Sequence, residues 1–279
     1  MSQFTIGCDP EVFVKEKASG KIVTAHGLIP GDKQNPHKVS WGAIQVDGMA
    51  LEFNIDPVSL DAYSGYTLWE TYLMNVMKQL KAAIPDHRLV LKSAHQFDKD
   101  YYDNQVPEEA KVLGCDPDFN AWEDGAENPA PDGSSGLRTA AGHIHIGWGR
   151  DIPIDHPDHI AICCRAVKAL DFFVGLPMAY LDPDPTRRQM YGKAGAFRPK
   201  PYGVEYRTPS NMWLKNKKTR KAIYDLTGAA VSFLKRGDVG APDYIRTMID
   251  NGSKEEVKGA LLVSGRPEHA RFLREFDDA

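Results

Sequence analysis

Apolar and polar positions alternate along residues 3 to 14 and again along 21 to 26, on either side of Ser19-Gly20, which predicts two short strands joined as a hairpin. A period of two sets Cys8, Pro10 and Val12 on one face and Asp9, Glu11 and Phe13 on the other, so two acids share a face. AIQV and MALEFNI flank Asp47-Gly48, a pair suited to the positive φ angles of a tight I′ turn, and predict a second hairpin with Glu52 in mid-strand. From Ser59 the period changes. Leu68, Tyr72, Val76 and Leu80 follow the 3.6-residue turn of a helix, with Ser59 or Asp61 as N-cap and Pro85 as its stop.

RLVLKSA reads as a strand, and residues 98 to 137 as a loop-rich stretch containing GCDPDFNAW and EDGAENPAPDGSSG. A strand over AAGHIHIGW, a helix over about 157 to 176, a loop, a strand around VEYRT and a long helix over about 215 to 236 follow. The last 40 residues read as short helices broken by Gly and Pro, with an acidic end at Asp277 and Asp278. Strands and helices mix without regular βαβ alternation, which predicts an α+β fold in a single domain over 1–279. Within it, 98–137 is a loop-rich insertion and 240–279 a C-terminal helical segment. GCDPEVF and GCDPDFN share a phrase but set no period.

Composition narrows the chemistry. Among 279 residues, 34 Lys and Arg stand against 38 Asp and Glu, a net charge of −4 that argues against a generic polyanion binder and against nucleic acid as partner. The longest apolar run, 169 to 181, is interrupted by Asp171 and Pro177, and the first residues carry no secretory pattern, so the expected setting is a reducing cytoplasm. Cys8, Cys115, Cys163 and Cys164 lack paired spacing and read as free thiols, the last two in a helix core.

Asp9 with Glu11, His143 with His145, and Glu205 with Arg207 each stand at i and i+2 in strand-like sequence. The same alternation describes the solvent face of an antiparallel sheet. Turned inward, acids need cations, and a divalent metal is the simplest. Mg²⁺ or Mn²⁺ suits carboxylates with an imidazole among them. Asp47 reads as a turn residue. In residues 186 to 211, Arg187, Arg188, Lys193, Arg198, Lys200 and Arg207 crowd around the single acid Glu205, a cationic segment suited to phosphate or else a solvated loop. No GxxxxGK[ST] or GxGxxG occurs, so phosphates would rest on metals and arginines. Lys215, Lys217, Lys218, Arg220 and Lys221 read as a solvated helix face.

Asp9-x-Glu11, the LEFN strand, GHIHIG, the arginine loop and Glu205-x-Arg207 resemble, in order and type, the motif series of glutamine synthetase and glutamate-cysteine ligase. GCDPEVF, DGMALEFN, AAGHIHIG and YGKAGAFRPKPYGVEYRTPSN more closely resemble the phage-associated carboxylate-amine ligases of that superfamily. The resemblance implies a curved antiparallel sheet, as in the glutamine synthetase catalytic domain, with helices on one face and metals on the other. It also implies ATP-dependent joining of a small-molecule or peptide carboxylate to an amine, through an acyl phosphate, in the host cytoplasm if the chain is phage-encoded.

Carried over by position, Glu11, Glu52, His143 or His145, and Glu205 would hold Mg²⁺ or Mn²⁺, with Asp9 a further ligand or a contact to metal-held water. Arg198 and Arg207 would face the phosphates, and Glu205, Arg207 and Arg198 would carry the catalysis. Arg187, Arg188 and Lys193 would assist nucleotide binding. The chain has Gly203 where glutamine synthetase has the first Arg of Arg-x-Glu-x-Arg, and only Asp47 as a loose counterpart of its second acidic ligand. Two other functions fit the same residues: a metal-dependent amide hydrolase, and a non-catalytic nucleotide or peptide binder.

Overall fold

β1 (Thr5–Glu16) runs through the middle of a large antiparallel sheet in the computed structural model, which describes residues 3–113, 117–130, 135–149, 152–237 and 240–277. The other strands are β2 (Ile22–Val23), β3 (His37–Val39), β4 (Gly42–Asp47), β5 (Ala50–Ile55), β6 (Val58–Ser59), β7 (His87–Val90), β8 (Ala94–Gln96), β9 (Phe119–Asn120), β10 (Ala126–Glu127), β11 (Leu137–Thr139), β12 (Gly142–Gly147), β13 (Ala196–Lys200) and β14 (Gly203–Tyr206). Their order is β10-β9-β13-β14-β12-β1-β5-β4-β3, with β2, β6 and β7 also paired to β1 and β8 paired to β11. Every pairing among the described residues is antiparallel.

The helices are α1 (Gly65–Ala83), α2 (Lys99–Gln105), α3 (Glu108–Lys111), α4 (His159–Leu170), α5 (Leu176–Leu181), α6 (Thr186–Met190), α7 (Lys217–Lys235), α8 (Tyr244–Asn251), α9 (Lys254–Val263) and α10 (Pro267–Phe276). The apolar side of β1, Ile6, Cys8, Val12 and Val14, joins Leu51, Phe53, Ile144, Ile146 and Val204 in one core with α1 and α4. α1 contributes Trp69, Leu73, Val76, Met77 and Leu80, roughly 2 kcal/mol for each large side chain removed from water. Leu73→Ala would cost about 3 kcal/mol. α7 lies against α4 and starts at a capping box, in which Asn216 accepts from Thr219 N. Its basic start is split: Arg220 is buried on Glu70 at 2.8 Å, whereas Lys217, Lys218 and Lys221 stay exposed.

Three expectations shift. The helix expected from Ser59 begins at Gly65, because Ser59 instead pairs with Thr5 in β6, and neither Ser59 nor Asp61 caps it. Gly65 fits where a Cβ would meet Ser59 O at 2.7 Å. The helix expected to end near 176 continues to Leu181 through a π turn at Asp171–Gly175, where the interrupted ladder accommodates Pro177, which has no N–H to donate. Residues 196 to 200, expected within the loop before the VEYRT strand, form β13. Pro199 lies beyond the two residues that β9 covers.

The 98–137 stretch is not plain loop where it is described. Phe97, Tyr102, Val106 and Ala110 pack on Phe13, Met49 and Ala50, on the same sheet face as the acids, while β9 extends the sheet beside β13. Cys8, Cys163 and Cys164 are free and buried, as expected, and Cys115 and Asp278 lie outside the described residues. No helix among the described residues is long and apolar enough to cross a membrane.

Candidate active site

Strand register brings the three i, i+2 pairs together. Asp9 stands opposite His143, His145 opposite Glu205, Glu205 opposite Arg198, and Glu11 opposite Glu52. All line one cavity of about 290 Å³ except His145, which borders it through Asp9. Asp9 Oδ1 lies 2.8 Å from His145 Nε2 and 3.3 Å from His143 Nδ1, and His143 Nδ1 lies 3.6 Å from Glu205 Oε1.

The acids form two groups. Asp9, His145 and Glu205 each offer a ligand atom within 4.8 Å of the others, and so do Glu11, Asp47 and Glu52. Asp47 was read from the sequence as a turn residue, but the turn is Gly48-Met49. Asp47 is the last strand residue, paired with Ala50, and Gly48 supplies the positive φ of 55°. That shift of one residue turns the Asp47 carboxylate toward Glu11 and Glu52.

The cations gather on one side. Glu205 Oε1 accepts from Arg207, with Arg198 Nη1 at 3.5 Å, and Lys200 Nζ lies 2.6 Å from Oε2. Arg207 Nε is 3.7 Å from Asp118, and its backbone N–H continues the ladder to Ala196 O at 2.9 Å. Lys200 is expected from the sequence only as part of the cationic segment, with no role of its own, and Asp118 is not among the expected site residues. Asp118 occupies in GCDPDFN the place that Glu11 holds in GCDPEVF, the one sequence signal that marked it. Tyr202, on the β13–β14 turn, bonds through its hydroxyl to His145 Nδ1 and so fixes the imidazole with Nε2 toward Asp9.

The remaining expected cations divide. Arg187 is buried at the edge of the cavity and donates to Thr208 O at 2.7 Å and Arg207 O at 2.8 Å, which holds the backbone behind Arg207. Burial pulls its guanidinium down to about 10. Arg188 donates to Asp182 O at 2.9 Å and does not line the cavity. Lys193 does not line it either, and its carbonyl accepts from Thr208 at 2.9 Å.

The two acid groups differ in charge balance. Among the described residues, no Lys or Arg forms an ion pair with Glu11, Asp47 or Glu52. Burial and then Asp47 raise Glu11 to about 7, and burial with Asp9, Asp47 and Glu11 holds Glu52 well above the usual range. In the other group burial opposes ionisation but loses. Arg207, His143, His145 and Lys200 hold Glu205 well below its usual value, and His145 brings Asp9 down. Burial, reinforced by Arg207, lowers His143 to about 4, so it stays neutral, while Asp9 outweighs burial and raises His145.

Divalent cations fit these donor sets. Oxygen ligands in both groups and one imidazole in the first match the preference of Mg²⁺ or Mn²⁺. Asp9 Oδ1, His145 Nε2 and Glu205 Oε2 are buried within reach of opposite charge, yet none is aligned for a hydrogen bond. Buried polar atoms left in this state are suited to an ion.

Residues 138–236 match the family model described as Phage phiEco32-like COOH.NH2 ligase-type 2. The match supports the resemblance read from the motifs and an enzyme of ligase type. It contains His143, His145, Arg198, Lys200, Glu205 and Arg207, whereas Asp9 and the whole Glu11–Asp47–Glu52 group lie before it. No curated protein matches the chain.

Proposed function

We propose that the protein is an ATP-dependent ligase that joins a small-molecule or peptide carboxylate to an amine through an acyl phosphate, giving an amide or isopeptide bond, with Mg²⁺ or Mn²⁺ as cofactor. One observation carries the reading: two carboxylate groups and the cations Arg198, Lys200 and Arg207 converge on a single cavity at one face of an antiparallel sheet. An antiparallel sheet with α1 and α4 on the face away from the acids, and only the short α2 and α3 on the acids' own face, also agrees with the glutamine synthetase catalytic architecture that the motifs imply.

In this reading Asp9, His145 and Glu205 would hold one ion, and Glu11, Asp47 and Glu52 would hold the other. The ions would supply positive charge against the polyphosphate. Arg198 and Arg207 donate to phosphate oxygens, and Asp118 and Glu205 fix the Arg207 fork before substrate arrives, so little reorganisation is left for the transition state. The substrate carboxylate attacks the γ-phosphorus, ADP leaves, and the amine then displaces phosphate from the acyl carbon. No side-chain nucleophile is needed. Such a reaction draws on ATP and belongs in a cytoplasm, that of a host cell if the gene is carried by a phage.

The test is ADP release by the purified protein with ATP, Mg²⁺ and paired panels of carboxylates and amines. Release that needs both substrates supports the reading. Amide hydrolysis that proceeds without nucleotide contradicts it and points to the hydrolase, and nucleotide binding unchanged by Glu205→Gln, with no product, points to a binder.

A further inference from the structure

We propose that Lys200 is a tethered cation that occupies the Glu205 end of the first acid group while no nucleotide is bound, and that it passes to a phosphate oxygen when nucleotide enters. The proposal rests on the reading of the two acid groups as ion sites.

The two oxygens of Glu205 are used differently. Oε1 is taken by Arg207, with Arg198 at 3.5 Å and His143 at 3.6 Å. Among the described residues, Oε2 has only the Lys200 ammonium as an ion-pair partner, 2.6 Å away, and it is a buried atom with no aligned hydrogen bond. Oε2 is therefore held by charge and not by a directed bond, a contact that another cation can replace. The ammonium and an ion compete for this one oxygen, and with Arg207 and Arg198 already at Oε1 a further cation beside all three is strongly repelled unless the ammonium leaves.

Lys200 is built to move. It is the last residue of β13, its side chain is 26% exposed, and its flexible stem ends beside Arg198 and Arg207 on the cavity wall. Arg207, by contrast, is pinned by Glu205 and Asp118 together. An arriving polyphosphate gives the ammonium a new anionic partner and frees Glu205 Oε2. The Glu11–Asp47–Glu52 group has no such internal cation among the described residues.

The test counts Mn²⁺ ions bound to the full chain without nucleotide, by calorimetry and by the electron paramagnetic resonance signal of free Mn²⁺. The wild type is expected to bind one ion, Lys200→Met and Lys200→Gln two, and Lys200→Arg, which keeps the charge, one. Two ions on the wild type, or one on both neutral variants, overturn the proposal and leave the ligase reading intact. No binding by any of the four proteins overturns the proposal together with the two ion sites.

Discussion

Glu11 and Glu52 are direct cross-strand partners, two carboxylates facing each other from β1 and β5 with Asp47 beside them and no lysine or arginine paired to any of the three among the described residues. Like charges directly opposite destabilise a sheet. Glu11→Gln and Glu52→Gln are therefore expected to raise the melting temperature of ion-free protein while lowering Mg²⁺ or Mn²⁺ affinity by about 10- to 100-fold. Thermal unfolding in chelator, set beside metal titration, checks both halves. A variant that loses stability and keeps its affinity would contradict the account.

The same pair sets a pH dependence. Burial and then Asp47 raise Glu11 from 4.5 to about 7, and Glu52 is raised in the same direction. In ion-free protein these groups contribute stability that is complete below pH 4.5 and lost as pH rises through about 7. Ion binding requires the deprotonated forms, so Mn²⁺ affinity should climb between about pH 6 and pH 8, and added Mg²⁺ should raise the melting temperature more at the upper end. Asp9 and Glu205 are shifted down, so the stability they contribute is present across this window and is lost only in stronger acid. Calorimetry at several pH values measures the slope. A flat profile would count against protonated Glu11 and Glu52.

Arg198 and Arg188 should separate cleanly. Arg198 lines the cavity, so Arg198→Met is expected to raise KM for ATP about tenfold or more. Among the described residues Arg188 bonds only the backbone carbonyls of residues 182 and 183, so Arg188→Met should lower the melting temperature and leave KM within about twofold. Steady-state kinetics of the two variants decide between them. Arg207→Met removes the partner of a buried carboxylate and should cost about 3 to 5 kcal/mol of stability besides activity.

How far the sequence disclosed this arrangement follows from which signals were local. The i, i+2 spacing of Asp9/Glu11 and His143/His145 is enough to set each pair on one strand face, and the strand register then joins them. Asp47 is legible only as a loose counterpart of an acidic ligand, because Asp-Gly is a strong turn signal and the turn forms one residue later. Lys200 is legible only as one of six cations in the segment 186 to 211, because its place against Glu205 depends on β13 pairing with β14, which no local signal sets. Nothing local marks Arg188 as turned away from the cavity while its neighbour Arg187 lines it. That follows from where α6 packs, which is a tertiary property.

Asp171 was singled out in the sequence only as an interruption of an apolar run. It lies fully buried in the π turn and accepts from Trp122 at 2.6 Å, Tyr206 at 2.7 Å and Thr208 at 3.3 Å. Tyr206 and Thr208 bracket Arg207, and Trp122 follows the strand after Asp118, so one carboxylate behind the sheet ties down both partners of an ion pair in front of it. Asp171→Ala leaves those donors without an acceptor and is expected to cost about 2 to 3 kcal/mol in denaturant unfolding. Asp171→Asn, which keeps an acceptor for Tyr206 and Thr208, should cost less. Equal losses would indicate that Trp122 dominates.

Diffraction from crystals grown with Mn²⁺ and a non-hydrolysable ATP analogue, collected at the manganese edge, tests the two proposed ion sites and the proposed phosphate contacts together. The expected map has anomalous peaks among Glu11, Asp47 and Glu52 and among Asp9, His145 and Glu205, with phosphate density against Arg198 and Arg207. A map with the analogue bound elsewhere, and no manganese within reach of either acid group, would contradict the account.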